Sequence, residues 1–121
     1  MARVLIVDDS AIMRRNLAAI MRRGGHEVIG EALNGMQALA EYGNLHPDLV
    51  TMDITMPLSD GIEALAKLLG RYSDARVVMI SAINQKDRVL EAIKLGAKNY
   101  IIKPFEEDKV INIINQALGL K

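Results

Sequence analysis

Cysteine and tryptophan are both absent from the 121 residues. Without thiols there is no disulfide framework and no thiolate metal site, which leaves the redox compartment open. Aromatic residues make up 3% although half the residues are hydrophobic, so the core has to be aliphatic and methionine-rich. An excess of one charge is missing too. Fifteen basic residues balance fifteen acidic ones, which argues against a nucleic-acid or anionic-membrane partner, since either would want a basic face. No run approaches the ~18 apolar residues of a membrane span, and no charged start followed by an apolar stretch reads as a signal peptide. These absences predict a cytoplasmic protein that binds neither nucleic acid nor membrane. The length fits one domain, which buries roughly two-thirds of the surface its unfolded chain exposes and holds a core unaided.

What is present is alternation. Short apolar runs recur at Val4–Val7, Glu27–Ala32, Leu49–Met52, Val77–Ile80 and Tyr100–Ile102. Continuous Val/Ile/Leu runs of this length suit parallel strands covered on both faces. Between them lie stripes at helical spacing: Met13, Leu17, Ile20 and Met21, then Ile62, Leu65, Leu68 and Leu69. Val89 with Ile93, and Val110 with Ile113, Ile114 and Ala117, mark two more. A weaker helix over Met36 to Tyr42 is expected to break at Gly43-Asn44. Gly24-Gly25 should close the first helix behind Arg22 and Arg23, Asn34-Gly35 should turn the chain, and Gly96 should end the fourth helix. Glu106, Glu107 and Asp108 read as charges favoured at a helix start. Five β-α units predict a doubly wound, five-stranded parallel sheet with five helices in three layers.

The unusual polar residues fall at the carboxyl ends of these strands. The first delivers Asp8 and Asp9, the third Asp53, the fourth Ser81 and the fifth Lys103. Open α/β sheets bind ligands outside the carboxyl ends of their strands, where strand order reverses. Two carboxylates about 4 Å apart repel by roughly 4 kcal/mol at an effective dielectric of ~20. Three therefore converge only if a cation relieves them. With no histidine or cysteine nearby in sequence, the all-oxygen set selects Mg²⁺, Mn²⁺ or Ca²⁺. Mg²⁺ keeps several waters and binds one or two carboxylates plus a substrate phosphate. A lysine beside it neutralises a phosphoryl oxygen as a point charge. The set suits phosphoryl transfer, with an aspartate as the nucleophile.

Four motifs then stand in order: VDDS at 7–10, MDITMPLSDG at 52–61, Ser81-Ala82 after VVMI, and YIIKPF at 100–105. Together they resemble the receiver domains of bacterial two-component response regulators, over essentially the whole length. Among receivers, their wording and the lack of an output domain in 1–121 are most similar to the single-domain chemotaxis type. The resemblance implies the flavodoxin-like strand order 2-1-3-4-5. It implies that Asp53 accepts the phosphoryl group and that Asp9, Asp53 and the Thr55 main-chain carbonyl ligate Mg²⁺ (or Mn²⁺), with Asp8 binding through water. Ser81 matches the switch hydroxyl, Lys103 the lysine that pairs with the phosphoryl group, and Tyr100 the switch aromatic. Lys103-Pro104 matches a peptide bond that is usually cis. The implied partners are a sensor histidine kinase, a flagellar motor switch protein or other protein target, and a phosphatase, acting on a monomer.

Other readings compete residue by residue. Asp8-Asp9-Ser10 could simply start a helix, Ser81 could cap or turn, and Tyr100 could be an ordinary half-buried strand residue. The seven methionines are expected to fill aliphatic gaps, and His26 and His46 to be surface residues far from the site. At the level of function, the same site could serve an intermediate receiver in a phosphorelay. A Mg²⁺-dependent phosphohydrolase with an aspartyl nucleophile commonly has a second aspartate two residues on, where this chain has Thr55. A flavin or nucleotide carrier would want a glycine- or hydroxyl-rich loop after the first strand, where VDDSAIM places negative charge.

Overall fold

The computed structural model describes residues 1–57 and 59–120, so Leu58 of the MDITMPLSDG motif lies outside the described residues. In chain order the elements are β1 (Arg3–Val7), α1 (Ala11–Arg23), β2 (Glu27–Ala32), α2 (Gly35–Leu45), β3 (Leu49–Asp53), β4 (Thr55–Met56) and β5 (Ser59–Asp60). They continue with α3 (Gly61–Arg71), β6 (Val77–Ser81), α4 (Lys86–Leu95), β7 (Asn99–Ile102) and α5 (Glu107–Ala117). Five parallel strands form the sheet in the order β2-β1-β3-β6-β7. That is the expected 2-1-3-4-5 order once the antiparallel β4-β5 hairpin is set aside.

Side chains alternate across each strand, so each strand feeds two cores. Leu5, Val7, Val50, Met52, Val77 and Met79 pack on the α2-α3-α4 side, against Leu65 and Leu68 of α3. Val4, Ile6, Val78, Ile80 and Ile101 pack on the α1-α5 side, against Leu17 and Met21 of α1 and Val110 and Ile114 of α5. Strand order reverses between β1 and β3, because β2 lies outward of β1 on one side and β6 outward of β3 on the other. The crevice at that reversal is where Asp8 and Asp9 leave β1 and where Asp53 ends β3.

Local chemistry sets the boundaries. Ser10 caps α1 by accepting from the Met13 N–H, and Gly25 continues past its end at φ 86°. Asn34 is a helix cap and not merely a turn residue, since its side chain accepts from Gln37 N–H to start α2. That helix does not break at Gly43-Asn44 but runs to Leu45 and ends on left-handed His46 at φ 47°. Gly43 is a packing glycine: a Cβ there would lie 2.8 Å from the Tyr72 hydroxyl.

His26 also differs from expectation. It is buried, with Nδ1 accepting from the Ala2 N–H and Nε2 donating to Asn115 Oδ1, both at 3.0 Å. It ties the start of β1 to α5, whereas His46 is exposed as expected. The methionines divide: Met21, Met52, Met56 and Met79 are core, while Met1 and Met36 are largely exposed. Among the described residues no helix is long and apolar enough to cross a membrane.

Candidate functional site

β1 and β3 run parallel in direct register, Val7 opposite Met52, so the residues that follow emerge side by side. Asp8 continues the ladder through its N–H to Ala32 O, then turns the chain as its Oδ1 accepts the Ser10 N–H at 2.8 Å. Arg14 donates to the Asp8 carbonyl and pairs with Glu31, bracing the turn from α1. Carboxylate oxygens of Asp8, Asp9 and Asp53 lie within 4.8 Å of one another. Asp8 and Asp53 are buried and Asp9 is exposed. From the end of β7, Lys103 brings its Nζ to 3.6 Å from Asp53 Oδ2 and 3.9 Å from Asp8 Oδ2. The Lys103–Pro104 peptide is cis.

One ammonium does not balance three carboxylates. Burial pushes the Asp53 carboxyl up to about 6, and the neighbouring Asp8 charge adds to the rise. Lys103 and the Thr55 backbone N–H pull it back only in part. Burial raises Asp8 as well, against the opposing Ser10 N–H and Lys103. Asp8 Oδ2 is buried and accepts no hydrogen bond. Buried carboxylate oxygens ordinarily find a partner. An unpaired oxygen, an all-oxygen donor set and uncompensated negative charge together fit a hard divalent cation.

Ser81 ends β6, one residue past the Ile80 that pairs with Asp53, is buried, and donates its hydroxyl to the Ala82 carbonyl at 3.2 Å. Tyr100 is 38% exposed and, with Val89, Leu90 and Ile93, lines a surface cleft of about 210 Å³ that reaches Ser81. Thr55 opens β4, two residues past Asp53, and its hydroxyl accepts from Gln85 Nε2.

Sequence reasoning missed three features here. Gly61 lies so close to the acceptor segment that a Cβ would be 2.0 Å from the Asp53 carbonyl oxygen. Its signal was present, as the last residue of MDITMPLSDG. Arg14 and Gln85 carried none, because Glu31 and Thr55, which hold their other ends, come from other segments.

Fold and site together define an α/β domain that places hard oxygen ligands and a lysine, not a phosphate-binding loop, at its switch point. Residues 4–115 match the response regulator receiver domain family, and the chain belongs to that family. It is 49% identical over 117 residues to the chemotaxis protein CheY of Bacillus subtilis, covering 97% of this chain and 98% of that one. It is 47% identical over 114 residues to CheY of Thermotoga maritima, covering 94% and 95%. Among solved structures it superposes with TM-score 0.92 on the CheX-CheY-BeF3-Mg²⁺ complex from Borrelia burgdorferi, at 37% identity, covering 98% of this chain and 90% of that one. A CheY-type receiver is not a conventional enzyme, so the phosphohydrolase reading falls away.

Proposed function

We propose that this chain, as a single receiver domain over 1–121, is a phosphorylation switch in chemotaxis signalling. The observation that carries the reading is the convergence of Asp8, Asp9, Asp53 and Lys103 from three strand ends. A carboxylate oxygen of Asp53 attacks the phosphorus of a phosphohistidine on a sensor kinase. The P–O bond forms as the P–N bond breaks, and its electron pair leaves on the imidazole. Lys103, already 3.6 Å from Asp53, pairs with a transferred phosphoryl oxygen. Asp9, Asp53 and the Thr55 carbonyl would hold Mg²⁺ or Mn²⁺, with Asp8 reaching it through water. Bound there, the cation supplies charge neutralisation between the carboxylates and the incoming phosphoryl oxygens.

The output is a change of protein-binding surface. Ser81 donates a hydrogen bond from its hydroxyl to a phosphoryl oxygen, and Tyr100 turns inward into the space released. Moving a two-state surface from 1:99 to 99:1 takes about 5.5 kcal/mol of differential stabilisation. Charge-assisted hydrogen bonds to phosphate, at roughly 1.5–3 kcal/mol each, supply much of it. The exposed apolar residues Leu90, Tyr100 and Ile102 offer a surface for a flagellar motor switch protein. The CheX complex of the Borrelia relative supports a phosphatase partner as well. The protein works as a cytoplasmic monomer and needs neither nucleic acid nor membrane. Incubation with Mg²⁺ and acetyl phosphate should add the mass of one phosphoryl group, and Asp53→Asn should abolish the gain. An equal gain in that variant would place the acceptor elsewhere.

A further inference from the structure

The loop 82–85, between β6 and α4, has little packing to hold it: Ala82, Ile83 and Asn84 are all exposed. The Gln85 side chain fastens it to the segment after Asp53. Gln85 Oε1 accepts the Ala82 N–H at 2.7 Å, and the Gln85 N–H donates to the Ala82 carbonyl at 3.2 Å. The other end of the same amide, Nε2, donates to the Thr55 hydroxyl just past Asp53. One turn further along α4, Arg88 Nη2 donates to both Asp60 carboxylate oxygens at the start of α3, so the attachment continues into the helix.

We propose that Gln85 is a clasp that sets how readily Asp53 is phosphorylated, acting through Ala82 on Ser81. The proposal rests on the reading of Asp53 as phosphoacceptor and deepens it. A serine hydroxyl has one proton to donate, and that of Ser81 is committed to the Ala82 carbonyl. To serve a phosphoryl oxygen on Asp53, it has to leave Ala82. The Gln85 side chain holds the Ala82 N–H and anchors it to Thr55, while the Gln85 main-chain N–H holds the carbonyl that Ser81 has to leave, so the exchange first has to overcome the clasp. Only a primary amide accepts from one partner while donating to the other here. A methionine of similar length does neither. Gln85 touches no reacting atom and is therefore a positioning residue.

The test compares four proteins, wild type, Gln85→Met, Ser81→Ala and the double variant, phosphorylated by acetyl phosphate with Mg²⁺ and followed by intact mass. Loss of the clasp's neutral hydrogen bonds should raise the initial rate roughly three- to tenfold in the Ser81 background. In the Ser81→Ala background the same change should have no effect. Equal rates for wild type and Gln85→Met, or the same acceleration in both backgrounds, would overturn the clasp. Hydrogen exchange at the Ala82 N–H needs no phosphorylation. It should speed up in Gln85→Met, and unchanged exchange also refutes the proposal. If the wild type gains no phosphoryl mass, or Asp53→Asn gains it, the phosphoacceptor reading is what has failed.

Discussion

Asp53 should destabilise the domain that depends on it. A carboxyl raised from 3.8 to about 6 by folding binds its proton more tightly when folded. Its contribution to stability is therefore complete below pH 3.8 and is lost as the pH rises through 6. The shift is roughly two units, equivalent to about 3 kcal/mol at neutral pH. Asp53→Asn removes the buried charge, whose attraction to Lys103 is already contained in that net shift, but adds an amide N–H₂ to satisfy. The expected net stabilisation is about 1–2 kcal/mol at pH 7.5. Urea unfolding in the presence of a chelator, repeated from pH 4 to pH 8, reads this as a gap between two curves. The gap should open between pH 4 and pH 6 and stay level above that. Mg²⁺ at 100 times its dissociation constant should then raise wild-type stability by about 2.7 kcal/mol and the variant by much less. A variant no more stable than wild type at pH 7.5, or a gap independent of pH, would refute the view that burial outweighs Lys103.

Ile83 is 79% exposed and cannot orient a water by hydrogen bonding, so Ile83→Glu should shorten the Asp53 phosphate half-life several-fold without a folding cost. An unchanged decay after acetyl phosphate is removed counts against it. Gly61→Ala would push a methyl group against three backbone atoms, the Asp53 carbonyl oxygen, its carbon at 2.9 Å and Ile54 Cα at 2.8 Å, and should cost about 2–3 kcal/mol. A melting temperature equal to wild type would show that the segment can yield. His26→Leu leaves the Ala2 N–H without its acceptor and should cost about 1–3 kcal/mol, read as a lower urea midpoint at unchanged slope.

Apolar runs made β1, β3 and β6 legible, because a strand buried on both faces needs no polar alternation, whereas the edge strands β2 and β7 are only partly buried. Asp8, Asp53 and Lys103 were legible for a related reason: an ionisable residue directly after a buried run must lie where the strand leaves the sheet. What stayed hidden depends on residues far apart in sequence. The burial of His26 is set by Ala2 on the β1 side and by Asn115 on α5, 89 residues away. Gln85 reaches across 30 residues to Thr55. Gly43 misled because a helix end and a close helix-to-helix contact ask for the same residue. The β4-β5 hairpin has two residues on each strand, too few to show any periodicity.

The paired aspartates also divide their labour in a way that links folding to signalling. One oxygen of Asp8 builds the turn into α1 through Ser10 N–H, which fixes the carboxylate and keeps its other oxygen buried, 3.9 Å from Lys103. Asp9, one residue on, is exposed and free of that duty. Had Asp8 been the only acidic residue at the tip of β1, the turn and a cation would have competed for it. With two, the backbone holds one carboxylate rigidly against Asp53 while the other stays accessible from solvent. The repulsion built into the first pair is then available to any cation or phosphoryl group that relieves it.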